Sequence, residues 1–215
     1  MSVFVTRCRI RTDPHDRLCV GRGTCGRIYE SMHATADEER LPVVVMGVSA
    51  SGKTTLGAAL ARALGLPFIE GDTLHSAHNI EKMRRGEPLD DADRAPWLAA
   101  IAARLADRRQ YPRGVVVACS ALRAGYRDRL RQAAPGLKFV FLDASPTLIE
   151  ARMAARHHHF MPASLAASQF ATLERPAAGE RDVLMLDAAR PVETLTAAAV
   201  ASIGQLGKLS TSAGL

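Results

Sequence analysis

Eight consecutive residues carry the most explicit chemistry in the chain: Gly47-Val48-Ser49-Ala50-Ser51-Gly52-Lys53-Thr54 fits GxxxxGK[ST] throughout. An apolar run precedes it and a helical pattern follows, as a phosphate-binding loop requires. Glycine lets such a loop turn tightly, so that successive N–H groups converge on phosphate oxygens. The helix that follows adds the positive end of its dipole. Lys53 is placed to reach the β- and γ-phosphates, the Thr54 hydroxyl to ligate Mg²⁺, and Thr55 to extend the phosphate contacts into the first helical turn. The ligands expected here are therefore ATP and Mg²⁺. GTPases, motors and small-molecule kinases share this loop, so the acceptor has to be sought elsewhere in the chain.

Glu70-Gly71-Asp72 ends the second apolar run and so belongs to the same carboxyl edge of the sheet as the loop, where ligands of open α/β sheets sit. A carboxylate at Asp72 can orient an attacking hydroxyl and accept its proton, while Glu70 helps Thr54 to hold a hydrated metal ion. His75, Asn79 and Lys82 follow at helical spacing, a polar stripe suited to a polyhydroxylated substrate. Arg127 and Arg131, four apart on a basic helix, are candidates to meet an anionic ligand. Cys119 lies in an apolar run and is expected to be a buried structural thiol. Arg152 and Arg156 are also four apart, at the end of a helical stretch that leads into His157-His158-His159-Phe160-Met161-Pro162 and another helix. Helix–loop–helix with arginines at its hinge is the form of a lid, and Arg152 and Arg156 are expected to gather charge on a transferring phosphoryl group. The three adjacent histidines cannot all face one ion on a helix, so no metal site is expected there.

The elements that position these residues alternate. Apolar runs at Val43–Met46, Pro67–Ile69, Val115–Cys119, Lys138–Leu142 and Val183–Leu186 read as strands. Helices are predicted over 53–64, 75–84, 94–109 (with Pro96 in the first turn), 122–133, 146–156, 163–173 and 191–206. Strands separated by helices predict a three-layer α/β fold with a central parallel sheet and a helical lid.

The chain has 215 residues, 47% of them hydrophobic and 23% charged, the profile of a soluble globular protein. No apolar run approaches the roughly 18 residues of a membrane span. Half of the net charge of +6 falls in residues 1–31, where six arginines face three acids, and no basic stripe is interleaved with aromatics. Neither nucleic acid nor membrane is an expected partner. Cysteines at 8, 19, 25 and 119 form no CxxC pair, and a reducing cytoplasm is the expected compartment. Residues 1–40 show no sustained periodicity and read as a poorly ordered extension; a targeting segment is disfavoured by its acids, and Met32 is an alternative start. The domain is then 41–207, with a frayed tail over 208–215.

Four segments resemble the gluconokinases, small kinases that phosphorylate D-gluconate at its 6-hydroxyl: GVSASGKTT (47–55), EGDTLHSAHNIEKMRRGEPLDDADRAPWL (70–98), ACSALRAGYRDRLR (118–131) and HFMPASLAASQFATLE (159–174). The second is the most specific. The resemblance implies a nucleoside-monophosphate-kinase-like P-loop kinase fold, ATP with Mg²⁺, 6-phosphogluconate as product and a possible homodimer. It supports Lys53, Thr54 and Asp72 in the roles given above. With gluconate as substrate, Arg127 and His75 become the expected contacts for its carboxylate or hydroxyls. Ala50 stands where the family usually has Gly, Arg123 where it has Lys, Glu70 where Asp is common and His158 where it often has Gly. If position 50 needs a positive φ, its methyl group is strained there. Another small-molecule kinase of this fold, shikimate-kinase-like, or a catalytically decayed ATP-binding regulator are the alternative readings.

Overall fold

The structure is a computed structural model that describes residues 40–155 and 163–211. The expected extension, Arg156, the histidine run and the end of the tail lie outside the described residues. In chain order the elements are β1 (Val43–Met46), α1 (Lys53–Leu64), β2 (Phe68–Glu70), a 3₁₀ turn (Gly71–Leu74), α2 (Ala77–Arg84), α3 (Asp91–Ala106), β3 (Val116–Ala118), α4 (Ala124–Ala133), β4 (Lys138–Asp143), α5 (Pro146–Ala154), α6 (Ala163–Thr172), β5 (Val183–Asp187) and α7 (Val192–Thr211).

The five strands form one sheet in the order β2-β3-β1-β4-β5, and every neighbouring pair is parallel. In the centre, Val43 is in register with Val116 on one side and Lys138 on the other. A strand with neighbours on both edges and helices on both faces has no polar side, which is why β1 reads VVVM without alternation. Its side chains still alternate in direction. Val43 and Val45 join Leu56 and Leu60 of α1, Ile149 of α5, Ala166 of α6 and Leu195 and Ala199 of α7. Val44 and Met46 join Trp97, Leu98, Ile101 and Leu105 of α3 and Leu130 of α4. Two apolar layers thus sandwich the sheet, giving the three-layer architecture expected.

The boundaries differ from the pattern at informative places. α3 starts at Asp91 rather than 94, because Asp90 and Asp93 form a reciprocal capping box: the Asp93 amide donates to Asp90 Oδ1 at 2.8 Å and the Asp90 amide to Asp93 Oδ2 at 3.0 Å. Pro96 therefore lies inside the helix, not in its first turn. The segment after β2 is a 3₁₀ turn, and α2 begins only at Ala77 behind the Ser76 cap, whose hydroxyl accepts from the Asn79 amide at 3.1 Å. α7 runs to Thr211, past the end predicted for it.

Candidate active site

The turn from β1 into α1 closes on itself through unusual backbone angles. Gly47 has φ +145° and a β-carbon there would come 2.9 Å from the Leu142 carbonyl oxygen; Gly52, the N-cap of α1, has φ +106°. Ala50 has φ +59°, a left-handed conformation that disfavours a β-carbon by about 1–2 kcal/mol. This is the strain that the alanine at position 50 raised as a condition. Lys53 Nζ lies 3.0 Å from the Val48 carbonyl oxygen, to which it donates. The Ser51 hydroxyl is buried and has no hydrogen-bond partner among the described residues. A buried orphan oxygen inside a loop whose amides converge suits a phosphate oxygen as its missing partner.

Thr54 and Glu70, both expected at the metal, are in contact: the Thr54 hydroxyl donates to Glu70 Oε2 at 2.5 Å. Glu70 Oε1 also accepts from the Asp72 amide at 3.5 Å, the capping contact of the 3₁₀ turn. These are hard oxygen donors of the kind magnesium prefers. Among the described residues no group of three or more His, Cys, Asp or Glu side chains could hold a metal ion by itself.

Asp72 lines a cleft together with Ser49, Lys53, His75, Arg94, Trp97, Ser120 and Gln169. Its position depends on Gly71, where an added β-carbon would lie 2.2 Å from the Ala118 carbonyl oxygen on the neighbouring strand. The Gly71 carbonyl accepts from the buried indole N–H of Trp97 at 2.8 Å, so α3 pins the turn that carries Asp72. Trp97 in turn stacks on His75, ring centroids 4.4 Å apart and 10° from parallel. Burial lowers the His75 pKa against the opposing pull of the Asp72 charge, favouring a neutral imidazole at this wall.

Three expectations give way. Arg127, assigned to the substrate, is 1% exposed and is not among the residues that line the cleft. Its guanidinium grips Glu180 at 2.8 and 2.6 Å and the Glu174 carbonyl at 3.0 Å. A buried arginine needs such pairing, and the same network takes Arg131, which bonds Glu180 and Asp182. Asn79 and Lys82 do not extend a substrate stripe from His75: Asn79 donates to the Asp93 carbonyl at 2.8 Å and Lys82 pairs with the Asp93 carboxylate at 2.6 Å, fixing α2 to the start of α3. Arg152 is likewise engaged, donating to the Ser51 carbonyl at 2.7 Å and the Ala188 carbonyl at 2.6 Å. A loop that points its N–H groups inward points carbonyls outward, and Arg152 braces that outer side. It lines a second cleft with Ser51, Gly52, Thr55, Ala188, Arg190 and Val192. Arg156 lies outside the described residues.

Arg94, Trp97 and Gln169 are cleft residues that the chemistry of single positions did not single out. Arg94 and Trp97 are three apart on α3, a spacing already present in the predicted helix, but that spacing alone does not say which face of the helix meets the cleft. Gln169 had no local signal beyond its place in one of the resembling segments. Cys119 is buried as expected, and burial pushes its thiol up to about 12, so it is no nucleophile.

A family model described as an AAA domain matches residues 43–176. The thermoresistant gluconokinase of Escherichia coli (strain K12) is 40% identical over 167 residues, covering 78% of this chain and 95% of that protein. The gluconokinase of Gluconobacter oxydans is 50% identical over 134 residues, 62% of this chain and 75% of its own. Among solved structures, a gluconokinase from Sinorhizobium meliloti 1021 superposes with a TM-score of 0.75 at 48% identity, over 82% of this chain and 99% of that one. The Mycobacterium tuberculosis APS kinase CysC shares the fold at 21% identity and a TM-score of 0.55, over 77% of this chain and 98% of that one.

Proposed function

The chain belongs to the gluconokinase family, and from that premise we propose that it transfers the γ-phosphoryl group of ATP to the 6-hydroxyl of D-gluconate, releasing 6-phosphogluconate. The observation that carries the reading is the joining of two halves across one cleft: the phosphate loop and Lys53 on one side, Asp72 with Arg94, His75 and Trp97 on the other.

ATP fits with its nucleoside in the cleft lined by Thr55, Arg152 and Arg190 and its phosphates running along the loop toward Asp72. The loop amides, the Ser51 hydroxyl and Lys53 hold the phosphates; Thr54 and Glu70 would hold Mg²⁺, which would supply neutralising charge to them. Asp72 orients the 6-hydroxyl and takes its proton as the oxygen attacks phosphorus in line. Arg94 replaces Arg127 as the candidate for the gluconate carboxylate, since it reaches the acceptor side of the cleft and Arg127 does not. The flat face of the Trp97–His75 stack walls the carbon chain. Because Arg152 braces the loop and walls the nucleoside cleft, charge on the transferring group falls mainly to Lys53, the amides and the metal.

No helix among the described residues is long and apolar enough to cross a membrane. A cytoplasmic location and a homodimer complete the proposal, the latter on family resemblance alone. A coupled assay for 6-phosphogluconate formation tests the reading, run beside shikimate and neutral polyols. Turnover with gluconate and none with the others is the expected result. Turnover with a different acceptor would replace the substrate, and ATP binding without any turnover would favour a decayed regulator.

A further inference from the structure

One contact across the cleft has no part in the mechanism above. The amide of Ser49, third residue of the phosphate loop, donates to Gln169 Oε1 at 2.6 Å. Gln169 lies on α6, far along the chain, and both residues line the cleft of Lys53 and Asp72. Loop amides on this side are the ones that face the terminal phosphoryl group, because the nucleoside cleft lies at the other end of the loop, by Gly52 and Thr55. A neutral carboxamide oxygen therefore sits on a donor suited to a phosphate oxygen.

We propose that Gln169 is a specificity-determining residue for the terminal phosphoryl group: its carboxamide oxygen holds the place on the Ser49 amide that a γ-phosphoryl oxygen of ATP takes, and the displaced carboxamide turns its Nε2–H onto that oxygen. The proposal rests on ATP as donor. Gln is the side chain for this exchange, since it carries an acceptor and two donors on one planar group whose last torsion is soft. The helix backbone has no need to move. Ala166 of α6 is buried in the core with Val48, and Phe170 packs on it. Just beyond the helix, the Glu174 amide donates to the Leu122 carbonyl at 2.8 Å, the Glu174 carboxylate accepts from the Ala124 amide at 2.7 Å, and Arg127 holds the Glu174 carbonyl. The anchored helix thus presents Gln169 at a fixed distance from the loop, and ADP, which ends one phosphate short, leaves the Ser49 contact in place.

Two variants of the full chain test this. Gln169→Glu sets a carboxylate against the γ-phosphoryl group. Calorimetric titration with Mg²⁺ and either ADP or the β,γ-imido analogue of ATP should show the analogue weakened on the order of 10-fold or more, with ADP affinity held within about three-fold. Equal weakening of both nucleotides, or no change in either, would overturn the proposal and leave Gln169 a brace between α6 and the loop. Gln169→Ala removes the donor and should lower kcat about 10-fold with ADP affinity unchanged. An unchanged kcat in that variant overturns the proposal even if the glutamate variant does not fold. The titrations contain no acceptor, so their outcome is independent of whether gluconate is the substrate.

Discussion

The two halves of the cleft that the proposal assigns to donor and acceptor are built by different means. The donor half is one run of residues, 47–54, whose work is done by backbone N–H groups and whose geometry comes from positive φ at Gly47, Ala50 and Gly52. The acceptor half is assembled from three separated pieces: the turn after β2 that carries Asp72 and His75, the first turns of α3 with Arg94 and Trp97, and Ser120 after β3. Local backbone geometry shapes the first half, with Arg152 bracing it from outside; tertiary contacts such as the Trp97–Gly71 hydrogen bond and the His75–Trp97 stack shape the second. A site shaped by its own segment depends on few outside contacts, whereas a site built from a distance inherits every fault in the packing between its parts.

Substitutions on each side can break or sharpen that division. The largest effect is expected on the acceptor side: Asp72→Asn keeps size and hydrogen bonding but removes the base, and should lower kcat on the order of 10²–10⁴-fold while ATP affinity stays within a few-fold. Titrating ATP and measuring product in the same preparation checks both halves; a matching collapse of ATP affinity would assign Asp72 to the metal instead. Next comes the donor side, where Lys53→Ala should cost on the order of 10²–10³-fold in turnover. A folded variant with near-normal turnover would remove the phosphate-loop assignment. Arg94→Leu should raise KM for gluconate on the order of 10–100-fold with KM for ATP unchanged, the signature of one lost charged hydrogen bond to the acceptor. Smallest is Ala50→Gly, which relieves the left-handed strain at the expense of a more flexible unfolded chain; a gain of about 0.5–1 kcal/mol in denaturant unfolding is expected. A loss there would show that the methyl group packs favourably enough to outweigh its φ.

The same division explains what could be read from the amino-acid order. The loop, the strands at 43–46 and 138–143 and the helix at 53–64 were all legible, because each is encoded by its own residues: a motif, an apolar run, a 3.6-residue period. Thr54 and Glu70 were expected at one metal site, and their side chains are in contact although β3 separates the two strands that lead to them. Arg127 was misplaced for the opposite reason. A helix period says which residues share a face, but only the segment that packs on that face decides whether an arginine meets a ligand or Glu180, and Glu180 is 53 positions away. Asn79 and Lys82 failed likewise, having been given to a substrate when their partner was Asp93. Arg94 and Trp97 were hidden for the same reason: the predicted helix already set them three apart, but only the packing of α3 on the turn after β2 brings that face into the cleft.

The central position of β1 has a bearing on synthesis. It is the first strand of the sheet to be translated, yet its partners are β3 and β4, about 70 and 95 residues further along. Its N–H and C=O groups thus have no strand to bond while the intervening helices are being made. Four apolar side chains that end up fully buried must remain solvated or sheltered for the whole of that interval. A ribosome that stops before β4 releases a chain in which β1 still has an open edge, the kind of surface that invites association between nascent chains. The phosphate loop, though written in eight adjacent letters, follows a strand that gains its partners only when the latter half of the protein has arrived.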